Sequence, residues 1–224
     1  MPVIAIDGPS GSGKGTVSRR LAAALGFHLL DSGALYRLTG LRGSRLGLDV
    51  LDEQGHAAAA RAMAVRFETG ADGGEQVLLG DEDVTAAIRT ETAGNLASRV
   101  ASYKAVRAAL IDRQRAFALA PGLVADGRDM GTVVFPAAAL KIFLTASPAE
   151  RAVRRHKQLK DKGLDVSLAG LSGEIAERDA RDASRTVAPL VAAADAVTLD
   201  STGLTPDAVV ARVLELARQR LVLR

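Results

Sequence analysis

Lys14 closes a glycine-rich string, Gly8-Pro9-Ser10-Gly11-Ser12-Gly13-Lys14, set between an apolar run and a helical pattern. Glycines there let the backbone curl so that N–H groups converge on phosphate oxygens, in conformations that side chains forbid. The positive end of the following helix adds to the attraction, and the Lys14 ammonium can reach the β- and γ-phosphates of a nucleoside triphosphate. The string fits the first seven positions of the P-loop motif. Gly15 follows the lysine and the hydroxyl comes one residue later, so Thr16 is the candidate Mg²⁺ contact, one place out of register. A dinucleotide-binding turn does not fit, because Thr16 stands where its third glycine belongs.

Three further stretches carry grouped charge. Asp31-Ser32-Gly33-Ala34-Leu35-Tyr36-Arg37 and Asp126-Gly127-Arg128-Asp129-Met130-Gly131 each follow a short strand pattern. In an open α/β sheet, such carboxyl ends border the ligand crevice. The third is Glu177-Arg178-Asp179-Ala180-Arg181-Asp182-Ala183-Ser184-Arg185, where Arg178, Asp182 and Arg185 fall at helical spacing on one face. Taken alone, that face reads first as solvated ion pairs. A guanine-nucleotide switch is excluded, since the sole asparagine, Asn95, precedes Leu and no Asn-Lys-x-Asp string exists. A large motor ATPase is excluded by size. A small-molecule kinase remains, with arginines for a phosphate-bearing acceptor.

These strings need elements to hold them. Val3-Ile4-Ala5-Ile6 reads as a buried strand of a parallel sheet, followed by a helix over 14–25 that Gly26 stops. Strand patterns recur at 27–30, 123–125, 141–145 and 197–199 with helical patterns between them, which is a βαβ signature. Ser147-Pro148-Ala149-Glu150 predicts a capping box, and Thr205-Pro206-Asp207 a similar helix start without the box. Val65–Glu68 and Gln76–Leu79 flank Gly70-Ala71-Asp72-Gly73-Gly74, predicting an antiparallel hairpin in an inserted subdomain.

The chain of 224 residues has 29 Lys plus Arg against 26 Asp plus Glu, so its net charge of +3 and 48% apolar content exclude general disorder. Cys is absent and the three His lie far apart, which excludes disulfides and argues against zinc. Arg outnumbers Lys 23 to 6, a bias that suits phosphate but also follows base composition. With 3% aromatics and mixed charges, nucleic-acid binding is not expected. No apolar run approaches a membrane span of roughly 20 residues and no secretory leader is visible, so a cytoplasmic protein is expected.

The strings IDGPSGSGKGT, DSGALYR, ADGRDMGTVVFP, and ERDARD followed by VAPL resemble bacterial cytidylate kinases, and the likeness covers nearly the whole chain. The resemblance implies a three-layer α/β/α P-loop kinase: a parallel sheet, a monophosphate-binding insert near 34–95 and a short lid near 147–166, within one domain. It implies transfer of the ATP γ-phosphoryl to CMP or dCMP with Mg²⁺, by a monomer. Gly8, Pro9, Ser10, Gly11, Ser12, Gly13, Lys14, Gly15 and Thr16 would bind ATP. Ser32, Tyr36, Arg37, Ser98, Arg107, Arg128, Asp129, Arg178, Asp182 and Arg185 would bind CMP. Among these, Asp182 is expected on the ribose, and Asp129, Ser98 and Arg107 at the base. Lys14 and Arg128, with Arg154 and Arg155 from the lid string Arg151-Ala152-Val153-Arg154-Arg155, would act on the transferring phosphoryl. A kinase for another small acceptor, or a nucleotide sensor without turnover, are the alternatives. The second phosphate site argues against the sensor.

Overall fold

A computed structural model describes residues 1–69, 75–161 and 166–221. The chain divides into two compact units, one of residues 1–31 with 114–224 and one of residues 32–113.

The first unit opens with β1 (Val3–Asp7), α1 (Lys14–Leu25) and β2 (His28–Asp31). In the second unit come α2 (Ser32–Arg45), α3 (Glu53–Arg61), and the antiparallel β3 (Val65–Thr69), β4 (Glu75–Leu79) and β5 (Glu82–Asp83). Helices α4 (Glu91–Val100) and α5 (Lys104–Arg115) follow, and in α5 the chain re-enters the first unit. That unit finishes with β6 (Leu123–Gly127), β7 (Leu140–Thr145), α6 (Pro148–Lys160), α7 (Leu168–Ala183), β8 (Val197–Asp200) and α8 (Pro206–Arg220).

Its sheet is wholly parallel, in the order β2-β6-β1-β7-β8. The central β1 and β6 are buried almost throughout, which explains why they read as apolar runs rather than alternations. At the edge, β8 alternates between half-buried and exposed residues. Ile4, Ile6, Ile142 and Leu144 pack in one core with Val17 and Leu21 of α1 and Val209, Val213 and Leu216 of α8. Helices flank this sheet in the expected three-layer α/β/α arrangement.

The hairpin pairs Val65 with Leu79 and Phe67 with Val77. Its expected turn, 70–74, lies outside the described residues, as do 162–165 of the expected lid. One helix differs from expectation: α7 ends at Ala183, so Arg185 lies past the helix and not on its face. The capping box is half formed. Ser147 Oγ accepts the Glu150 N–H at 3.2 Å, but the Ser147 N–H donates to Thr202 Oγ1 and the Glu150 carboxylate takes Arg154 Nε.

Candidate active site

The loop between β1 and α1 has the shape that its glycines allow. Gly8 has φ +150° and runs so close to β7 that a Cβ would meet Leu144 O at 2.0 Å. Gly13 is left-handed at φ 92° and opens α1 without a side-chain cap, which leaves the first helical N–H groups aimed at the loop. Lys14 is 6% exposed. Its ammonium donates to Pro9 O at 3.1 Å and lies 3.9 Å from Asp126 Oδ1 at the end of β6.

Burial governs the titration of this pair. It pushes Lys14 below the ordinary amine range, with Arg128 adding to the effect, and pushes Asp126 above the carboxylate range. A Cβ on Gly15 would make ordinary contact with Asp126 Oδ2, at 3.4 Å, so the carboxylate lies beside the start of α1.

A second cationic group surrounds Asp182, which is 1% exposed. Arg128 Nε donates to its Oδ2 at 3.1 Å and Arg185 Nη2 to its Oδ1 at 2.5 Å. Burial alone would raise Asp182, but Arg128, Arg185 and Arg178 together hold it below the usual range. Arg185 reaches Asp182 across three residues although it has left the helix. Arg128 and Asp129 directly follow β6, and Asp129 is buried.

The arginines of α6 take separate places. Arg151 is buried, donating to Ala146 O and Ser10 O and pairing with Asp179 at 2.5 Å. Arg154 donates to Ser201 Oγ at 2.9 Å and to Ser201 O at 2.6 Å, while Ser201 Oγ donates to Ser12 O or Thr145 O. Arg155 reaches Gln158 on its own helix. A cavity of about 350 Å³ opens beside the loop. Gly11, Ser12, Gly13, Thr16 and Val17 line one side, Arg154, Lys157, Gln158 and Asp161 another, and Ser201, Leu204, Pro206 and Val209 the rest.

Within the second unit, Ser32 and Tyr36 stand one turn apart on α2, and Ser98 is buried on α4. The Arg107 guanidinium lies 5.9 Å from the Tyr36 ring centroid, and Arg37 donates to Ile88 O at 2.7 Å and Thr90 O at 3.3 Å.

Sequence reasoning missed Asp126, Asp7, the Arg151–Asp179 pair, Ser201 and the cavity. Asp126 carried a signal, an acid closing an apolar strand, but its partner lies 112 residues away. The cavity has none, since three distant segments wall it.

The cytidylate kinase family model matches residues 4–219. A cytidylate kinase of Edwardsiella ictaluri is 55% identical over 99% of this chain and 98% of its own. One from Pseudomonas entomophila is 58% identical over 100% of this chain and 96% of its own. An uncharacterized Eubacterium ventriosum protein shares the fold at TM-score 0.55 and 13% identity, covering 98% of this chain and 99% of its own.

Proposed function

Because the chain belongs to the cytidylate kinase family, we propose that it transfers the γ-phosphoryl of ATP to CMP or dCMP, giving ADP and CDP or dCDP. The observation that carries the reading is the pairing, within one unit, of a phosphate loop with a separate arginine group around Asp182. A triphosphate occupies the first and an acceptor phosphate uses the second.

Gly8 to Thr16 bind the ATP phosphates, and the cavity beside Thr16 and Val17 takes its base. Mg²⁺ keeps several waters and needs only one or two carboxylates beside substrate phosphates. Asp126, beside Lys14 and the start of α1, is the carboxylate that fits that demand, with Thr16 as a further contact. When bound, the ion would neutralise charge on the phosphoryl oxygens.

By resemblance to the family, Ser32, Tyr36, Arg37, Ser98, Arg107, Arg128, Asp129, Arg178, Asp182 and Arg185 are the residues for CMP. The attacking atom is the acceptor's own phosphate oxygen, already anionic, so no strong base is needed. Catalysis is then alignment plus charge stabilisation by Lys14, Arg128, Arg154 and Arg155. Residues 147–166 act as a lid that excludes water. The enzyme works in the cytoplasm as a monomer, within a single kinase domain whose insert is the CMP-binding part.

The test is ATP consumption with CMP, dCMP, UMP, AMP and shikimate. A carboxylate at Asp129 accepts from the cytosine amino group but would oppose uracil O4. CMP should therefore exceed UMP by at least about tenfold in kcat/KM. Equal use of AMP or shikimate would overturn the assignment.

A further inference from the structure

Asp7 ends β1 one residue before the phosphate loop and is 5% exposed. Its two oxygens do not face the loop's lysine in a short ion pair. They accept the backbone N–H groups of Met130 and Gly131, each at 2.8 Å. A buried carboxylate is costly unless such bonds satisfy it. Those two amides begin the wide helical turn Met130–Val134, which directly follows Arg128 and Asp129.

Asp129 occupies the cap position of that turn. An aspartate there ordinarily folds its own carboxylate onto the first amides. Here it does not, with backbone φ −145° and no side-chain cap bond. Asp7, 122 positions earlier in the chain, does that work instead. The Asp129 backbone carbonyl is meanwhile fixed by the N–H groups of Val133 and Val134 at 2.9 and 3.1 Å. The Lys141 stem also closes on Gly131, where an added Cβ would meet Cδ at 3.1 Å and Asp7 Oδ2 at 3.4 Å. The turn is held against both a carboxylate and an aliphatic stem.

We infer that Asp7 is the positioning residue for acceptor choice: by capping the Met130–Val134 turn from β1 in place of Asp129, it sets where the Asp129 carboxylate stands to read the acceptor's base. The inference rests on the proposed role of Asp129. Both Asp7 oxygens are taken by the Met130 and Gly131 amides, so its effect appears as a change in selectivity and not as loss of a reacting group.

The experiment compares kcat/KM for CMP and UMP in wild type, Asp7→Asn, Gly131→Ala and Asp129→Ala, with KM for ATP alongside. Asp7→Asn turns an amino group against one of the two amides. Gly131→Ala pushes a methyl against the Lys141 stem and keeps the Asp7 carboxyl group, so it carries the test if Asp7→Asn fails to fold. Displacement of a recognition group by a fraction of an ångström should lower the CMP-to-UMP ratio by about tenfold in both. A merely structural role lowers the rates for both acceptors together and leaves that ratio alone. If Asp129→Ala lowers the ratio but Asp7→Asn and Gly131→Ala do not, the inference is overturned and the role of Asp129 stands. A ratio unchanged by Asp129→Ala overturns both.

Discussion

Replacing Asp182 by Ala removes a carboxylate that receives both Arg128 and Arg185. The Asp182 and Arg185 side chains are 1% and 5% exposed, and Arg128 is 19% exposed, so solvent can rescue only part of what is lost. Breaking a buried pair by removing one partner costs about 3–5 kcal/mol, because the other charge stays buried and uncompensated. For a chain of this size, about 2–4 °C accompanies each kcal/mol, so Tm should fall by about 6–20 °C. Asp182→Asn keeps one acceptor oxygen and should fall between wild type and the Ala variant. Urea unfolding at pH 7 measures the difference. The wild-type contribution is present above the unfolded carboxyl value of 3.8 and is lost as pH falls through the lower folded value, so the two proteins should converge in acid. The same variant should raise KM for CMP far more than KM for ATP. A stability loss below about 1 kcal/mol would show that the group behaves like a surface bridge and refute the reasoning. An equal rise in both KM values would reduce Asp182 to an ion-pair partner.

Lys14→Ala should lower kcat by at least about a hundredfold in protein that remains folded, and retention of most activity refutes its role. ATP binding at pH 8 should take up protons, since triphosphate oxygens restore the charge on Lys14 that burial disfavours; calorimetry in two buffers of different ionisation enthalpy reads it, and no uptake contradicts it. Burial raises Asp7 from 3.8 to about 6, partly opposed by the N–H groups of Gly131 and Met130. A raised carboxyl stabilises the fold fully below the unfolded value and loses that contribution as pH rises through about 6, an effect of about 3 kcal/mol. Wild type should therefore lose stability relative to Asp7→Asn between pH 4 and 7, and a constant difference in urea midpoint across that range contradicts it.

Local signals carried the sequence reading where the cause was itself local. α1 spans Lys14–Leu25 as its periodicity predicts, because a left-handed Gly13 starts it and a left-handed Gly26 ends it. Thr205 caps α8 through the Ala208 N–H, as its string suggests. Tertiary partners override local rules elsewhere. Thr202 and Arg154 take the two groups that would complete the box at Ser147. Arg185 keeps its link to Asp182 although α7 stops at Ala183, which periodicity does not register. The insert reads as 34–95, whereas the compact unit runs from Ser32 to Arg113. Asp7 and Asp126 stood inside recognised strings, but their meaning depends on amides and an ammonium more than 100 residues away. The two-residue β5 and the turn at Met130–Val134 are too short for any pattern to reveal.

The central claim is that a phosphoryl group passes from the phosphate loop to an acceptor held by a second set of arginines, and does not pass to water. ATP labelled at its γ-phosphorus, incubated with the enzyme, Mg²⁺ and CMP, tests it most directly. Labelled CDP should form in the same amount as unlabelled ADP, with little label in inorganic phosphate. Label released as inorganic phosphate while CMP stays unchanged would contradict it.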